Sequence, residues 1–239
     1  MKLPPIITPR RRRGREYLDD DAGLDARVVE RSLGDVARAN ALFGGTRAVV
    51  AEIERAVRSA PSRTVTLLDV GTGLGDIPAS ARRWCRRHGV HVEAYGVERS
   101  AVLARAARGD TLTMVRADAL HLPFANASVD IVMCSQVLHH FDRQSSIALL
   151  RELDRVAQHR VIVSDLRRSW LAVAGIWLAS FPLRFHPVSR HDGVMSVLRG
   201  FTRRELGDVV RAAVGGHPDI RYRLGFRTTA SWAPVARVA

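Results

Sequence analysis

Between residues 26 and 57, apolar side chains recur every three or four positions: Val29, Leu33, Val36 and Phe43, then Val49, Val50, Ile53 and Val57. That period lays one apolar stripe along a helix, so the segment predicts two amphipathic helices broken at Gly44 and Gly45. Pro61 and Ser62 punctuate the chain, and from Thr64 the pattern changes. Short apolar runs of β type now alternate with helical stretches, as in a parallel sheet covered on both faces. Strands are predicted over residues 65–70, 90–97, 112–116, 129–135 and 160–165, and helices over 77–87, 101–108 and 144–157. After an insertion read as irregular over 166–200, Thr202 caps a helix to residue 213. Strands over 220–224 and 228–235 then complete the sheet as an antiparallel edge pair.

The expected fold is therefore α/β and Rossmann-like, a mostly parallel sheet of seven strands with helices on both faces. With 239 residues and 46% hydrophobic composition, the chain suffices for one core. The organisation expected is a mobile tail over 1–22 and one domain over 23–239. That domain divides into N-terminal helices (23–62), a ligand-binding core (63–165), a lid insertion after the fifth strand (166–200) and a C-terminal helix with edge strands (201–239). The longest apolar stretch, 170–183, falls short of the ~20 residues that span a bilayer and reads as a buried or lid helix. No membrane insertion is expected. Cys85 and Cys134 lie far apart, without the paired spacing of zinc sites or disulfide frameworks, so they are expected to be reduced and the chain cytoplasmic.

The formal charge of +13 raises the question of a nucleic-acid partner. Lys2 is the sole lysine, however, and the arginines are spread along helical surfaces without an aromatic-interleaved stripe, which argues against such a partner. The one dense cluster, Arg10–Arg13 with Arg15, precedes the acidic run Asp19–Asp21 and reads as a solvated tail, the alternative being a nucleic-acid or membrane arm.

Candidate chemistry begins where the first strand runs through Asp69 into Gly71-Thr72-Gly73-Leu74-Gly75. Glycines permit positive φ and close approach of a ligand, and the following helix offers free N–H groups. A dinucleotide turn, G-x-G-x-x-G, would require glycine where Asp76 stands. An acid ahead of the turn repels pyrophosphate but balances a cationic amino-acid moiety. Glu98 ends the next strand, where a carboxylate can hold ribose hydroxyls; the alternative is a solvated acid. Asp118 and Ala119 follow the third strand and offer an acceptor and a backbone N–H to an adenine edge, or an Asx turn leading to Pro123.

These segments together resemble the class I S-adenosylmethionine-dependent methyltransferases, and within them the small-molecule group that includes the ubiquinone and menaquinone methyltransferases. The resemblance covers residues 64–165, and the segment 127–141 with its Leu138-His139-His140 ending is similar to the family's fourth motif. It implies S-adenosylmethionine as cofactor, with Asp69, Gly71, Thr72, Gly73 and Gly75 at its methionine part, Glu98 and Arg99 at the ribose, Asp118 and Ala119 at the adenine, and Ser135 nearby. Arg190-His191-Asp192-Gly193 with Ser196 and Arg199 resembles a subgroup found near polyketide biosynthesis, which implies a phenolic or lipid-like acceptor.

A hydroxyl acceptor needs a base, a role that suits histidine. His191 in the lid and His139 and His140 beyond the fourth strand are the candidates, with Gln136, His139, Asp192 and Trp170 as acceptor contacts. No metal is expected, and the chain is expected to be a monomer or homodimer acting on a small organic acceptor. The rivals are an RNA or DNA methyltransferase, a non-catalytic cofactor-binding protein and a nicotinamide enzyme. Against the first, Cys134-Ser135-Gln136 stands where enzymes acting on base amines resemble N-P-P-Y.

Overall fold

A computed structural model describes residues 8–60, 62–100 and 112–234, with the backbone alone for residues 20–22. The helix expected over 101–108 lies outside the described residues. Helices α1 (Ala26–Leu42) and α2 (Gly45–Arg58) precede strand β1 (Thr64–Val70). Then follow α3 (Asp76–Arg87), β2 (His91–Glu98), β3 (Thr113–Arg116), β4 (Val129–Ser135), α4 (Arg143–Val156) and β5 (Ala157–Leu166). Helices α5 (Trp170–Ser180), α6 (Pro187–Arg199) and α7 (Arg203–Val214) lead to β6 (Asp219–Arg223) and β7 (Arg227–Trp232).

The sheet order is β3-β2-β1-β4-β5-β7-β6, and β7 alone runs against its neighbours. Alternation along the strands builds two apolar layers. Leu68, Val70, Val132 and Val163 face α4 and α7 through Leu149, Leu153, Leu206 and Val210. Leu67, Ile131, Met133 and Ile162 face α2 and α3 through Val49, Ile53, Ala81 and Cys85. Burial on both faces explains why these strands read as continuous apolar runs. The cap foreseen at Thr202 is a full capping box: the Glu205 N–H donates to Thr202 Oγ1 and the Thr202 N–H to Glu205 Oε2. Both cysteines are buried free thiols.

Two expectations are corrected. The insertion over 166–200 is not irregular: besides the apolar helix expected over 170–183, found as α5, it holds a second helix, α6. Helix α5 is apolar all round, and Trp170, Leu171, Trp177 and Leu178 stand exposed rather than buried. Among the described residues no helix is long and apolar enough to cross a membrane.

The second correction concerns the tail. Residues 8–23 are not a solvated arm; they cross the rim of the sheet and include a 3-10 turn, Tyr17–Gly23. Arg10, Arg12, Arg13 and Arg15 stay exposed, while Arg11 and the segment around it find fixed partners. Arg11 donates to the carbonyls of Arg199 (2.7 Å) and Phe141 (3.1 Å), and its guanidinium lies 4.1 Å from the centre of the Phe201 ring. Arg168 donates to the Pro9 carbonyl at 2.7 Å. The Asp192 carboxylate accepts the N–H groups of Tyr17 (2.8 Å) and Leu18 (3.1 Å). Unpaired carbonyls at the end of α6 and in the turn after β4 draw in Arg11 from the run.

The lid pair is fastened to α1 by Asp35, which is fully buried and accepts from the His186 N–H (2.7 Å) and the Ser189 hydroxyl (2.8 Å).

Candidate functional site

The connections of β1 and β4 leave on opposite faces of the sheet, which opens a crevice beyond their carboxyl ends. There lies a cavity of about 760 Å³, roofed by α1, the lid helices and the N-terminal strap, residues 8–23. Its volume falls within the ~300–1,000 Å³ of small-molecule sites.

One end is acidic. Asp69 closes β1 and is buried; burial, with the nearby Asp76 and Glu98 charges, raises its carboxyl to about 8 against the opposing hydrogen bond from Thr72 Oγ1 (2.9 Å). The turn that follows is built on left-handed glycines. Gly71 sits at φ 75, and a Cβ there would meet Val137 Cγ2 at 2.3 Å. Gly73 sits at φ 55 with its N–H donating to Glu98 Oε1 at 2.6 Å. A Cβ on Gly73 would meet no protein atom nearer than Leu33 Cδ2 at 3.9 Å, so that face of the turn borders open cavity.

Every cofactor-side residue expected from the sequence except Gly75 lines this cavity: Asp69, Gly71, Thr72, Gly73, Glu98, Arg99, Asp118, Ala119 and Ser135. Gly75, at φ 73, instead begins α3. Asp118 also makes the Asx turn weighed as its alternative, accepting the Leu120 N–H at 2.9 Å. The two roles are compatible, because a carboxylate accepts at several lone pairs.

The sequence reading passed over three residues at this end. Asp76, raised by burial against hydrogen bonds from its own N–H and Asn40, lines the cavity, as does Arg227. Arg227 is buried, which lowers its guanidinium to about 10, and its Nε and Nη1 meet no acceptor among the described residues. Asn40 stands between them, accepting from Gln136 Nε2 and from Arg227 Nη2. A strand-end rule finds Asp69 and Glu98, but Asp76 begins a helix and Arg227 opens the reversed strand β7, which no turn motif marks.

The opposite end is apolar on the lid side, through Leu171, Ala172, Ile176 and Phe185, and polar toward β4. There His139 is buried, its Nδ1 2.7 Å from Asp165 Oδ1, while its N–H donates to Asp165 Oδ2 at 2.9 Å. Its Nε2 faces Glu16 Oε1 of the strap at 3.4 Å. Burial alone would lower the imidazole, but Asp165 and Glu16 on either side raise it to about 9. His140 pairs through Nδ1 with Asp19 and turns Nε2 toward Glu16 Oε2 at 3.9 Å. Arg199 ties the group together, with Nη1 2.6 Å from Asp19 Oδ2 and 3.3 Å from Glu16 Oε1. Burial opposes ionisation of Glu16, yet its close contact with His139 holds the carboxyl below its usual range. Asp165, equally buried, is held low by the His139 charge. Among the described residues, Glu16, His139 and His140 offer ligand atoms within 4.8 Å of one another.

Two acceptor-side expectations are corrected. His191 does not line the cavity: its ring packs on Tyr17 with centroids 4.5 Å apart, and its Nδ1 pairs with Asp192. Trp170 opens α5 on the outer side, exposed and away from the cavity. Asp192 lines the cavity and also accepts the strap N–H groups, which makes it an anchor for the strap. Gln136, at φ 58, lines the cavity.

Residues 68–163 match the family model described as a methyltransferase domain. An uncharacterized methyltransferase of Mycolicibacterium gilvum is 32% identical over 166 residues, 69% of this chain and 60% of that protein, so the chain spans less than two thirds of its relative's length. Among solved structures, an O-methyltransferase family protein from Burkholderia thailandensis shares the fold with a TM-score of 0.61 at 16% identity, over 92% of this chain and 62% of that one. Magnesium protoporphyrin IX methyltransferase from Synechocystis, solved with bound S-adenosylmethionine, aligns with a TM-score of 0.56 at 15% identity, over 91% of this chain and 94% of that one. Residues 68–163 thus match a methyltransferase domain model, and the chain shares the fold of solved methyltransferases.

Proposed function

We propose that this methyltransferase domain is catalytic and moves the methyl group of S-adenosylmethionine to oxygen on a small, largely apolar acceptor such as a phenol, quinol or polyketide-like intermediate. The observation that carries the reading is the acidic end of the cavity. A left-handed glycine turn borders open space there, and Asp69 Oδ1, Asp76 Oδ2 and the Ser135 hydroxyl are buried without partners among the described residues. Buried polar atoms are almost always satisfied, so such a set marks groups built for a ligand that brings complementary ones. Carboxylates suit a ligand bearing an ammonium and a sulfonium, and the unpaired Arg227 guanidinium suits the carboxylate at the same end of that molecule. Glu98 is placed for the ribose and Asp118 with Ala119 for the adenine edge.

The cofactor, when bound, supplies an electrophilic methyl group on sulfur. What the chain contributes is alignment and a dry site: the roof of α1, α5, α6 and the strap excludes water, and orientation supplies much of the rate of an in-line displacement. The apolar wall of Leu171, Ala172, Ile176 and Phe185 faces the body of the acceptor, and the His139, His140 and Glu16 group its polar atoms.

Calorimetric titration separates this reading from its rivals. S-adenosylhomocysteine is expected to bind at about micromolar Kd, which corresponds to about −8 kcal/mol, whereas NADH and duplex RNA give no heat. Tight NADH binding with none of the homocysteine derivative would overturn the assignment. His191→Ala is expected to leave turnover close to wild type in a homocysteine-release assay. A general base contributes ~10²–10⁴-fold, so a fall of that size would return His191 to the catalytic group.

A further inference from the structure

The two histidines that end the fourth motif are held in the same way, although they sit on different sides of the turn. His139 gives its Nδ1 to Asp165 and His140 gives its Nδ1 to Asp19. Each imidazole is thereby left with Nε2 as its open atom, and both Nε2 atoms converge on one carboxylate, that of Glu16, at 3.4 and 3.9 Å. A carboxylate on the far nitrogen of each of two converging histidines is the arrangement that orients imidazoles toward a metal ion.

We propose that Glu16, His139 and His140 form a binding site for one divalent transition-metal ion at the acceptor end of the cavity. The spacing agrees with this. Ligand atoms about 2.1 Å from a tetrahedral ion stand roughly 3.4 Å from one another, and the three ligand atoms here lie within 4.8 Å of one another, so side-chain rotations that draw them together complete the site. The donor set, two neutral imidazoles and one carboxylate, suits zinc or a first-row ion such as iron or cobalt and leaves further positions for other ligands. His139 Nε2 is buried and has no hydrogen-bond partner of good geometry. Arg199 Nη1 is shared between Asp19 and Glu16 Oε1, and its Nε and Nη2 are spent on the carbonyls of His139 and His140, so the guanidinium holds the ligands without taking the Nε2 atoms. All three ligands line the cavity, so the remaining positions face the acceptor. Resting on the methyl-transfer reading, the ion would select acceptors that present a hydroxyl or carbonyl oxygen to it.

The full chain, stripped with EDTA and dialysed, is titrated with Zn²⁺ by calorimetry, and Co²⁺ spectra report the ligand set. One equivalent is expected to bind with micromolar or tighter affinity. Glu16→Gln and His140→Ala, one strap residue and one half-buried, are each expected to weaken it at least 100-fold. Asp19→Asn, which keeps the side-chain shape on the far nitrogen of His140 but weakens its pairing there and with Arg199, is expected to weaken it about 10–100-fold, and His191→Ala to leave it unchanged. Absence of stoichiometric binding in wild type overturns the site, as does binding that survives the Glu16→Gln/His140→Ala double change. S-adenosylhomocysteine titration of the same samples keeps the outcomes apart: failure of metal binding with intact nucleoside binding removes this proposal alone.

Discussion

Gly73→Val is expected to abolish binding of S-adenosylmethionine and S-adenosylhomocysteine while leaving the chain folded. At φ 55 a branched side chain is strained, by about 1–2 kcal/mol, a modest fraction of the stability of a domain of this size. It meets little protein, because the nearest atom to its Cβ is Leu33 Cδ2 at 3.9 Å. Two methyl groups would instead project into the space that the cofactor's methionine part is proposed to fill. An affinity loss above about 100-fold corresponds to roughly 2.8 kcal/mol, well within the effect of a steric block. Gly71→Val is a poorer probe, since its side chain collides with Val137 and confounds folding with binding. Near-wild-type affinity in a folded Gly73→Val protein, established by calorimetry and circular dichroism, would place the cofactor elsewhere.

A second large effect is expected in the pH dependence around Asp69. Its carboxyl is raised by burial from an ordinary 3.8 to about 8, so between those values the native state holds a proton that the unfolded chain has released. The contribution of this group is therefore fully present below pH 4 and declines as pH rises, levelling off above about 8. Asp69→Asn keeps the shape and removes the titration. The melting temperature of the variant minus that of wild type is expected to climb from pH 5 to pH 8 and then flatten. The ligand dependence runs the other way: affinity of wild type for the cationic cofactor rises toward pH 8 as the carboxylate forms, whereas the variant binds weakly at every pH. A difference curve that is flat across this range would show that Asp69 ionises normally.

The sheet and its glycine turn were legible because both are local. Val65–Val70 is apolar on both faces, and the Asp69–Gly75 turn declares its conformation through residues that tolerate positive φ. At the acidic end, Asp69, Glu98 and Asp118 followed from strand ends, whereas Asp76, Asn40 and Arg227 did not. Nor did the acceptor end, because it is assembled from segments far apart in the chain. Glu16 and Asp19 come from a run of charges whose composition reads as solvated, and nothing local announces that Arg199 and Asp192, some 175–183 residues later, receive it. Asp165 was visible only as the end of β5, without the histidine that faces it. His191 and Trp170 erred for the opposite reason: each is chemically apt and correctly placed in the lid, but a sequence does not disclose which side of a helix meets a cavity when the helix is apolar all round or its polar face is bound by another segment.

The strap also fixes an order of events during synthesis. Residues 8–23 are made before the sheet exists, yet the groups that hold them, the Arg168 guanidinium, Asp192 and Arg199, are made 159, 175 and 180 residues after their partners. Strands β1 to β4 and the glycine turn can therefore form on the nascent chain before the wall containing Glu16 is in place, with Arg227 joining the acidic end later still. Competence for the acceptor waits until α6 has been made and has received the strap.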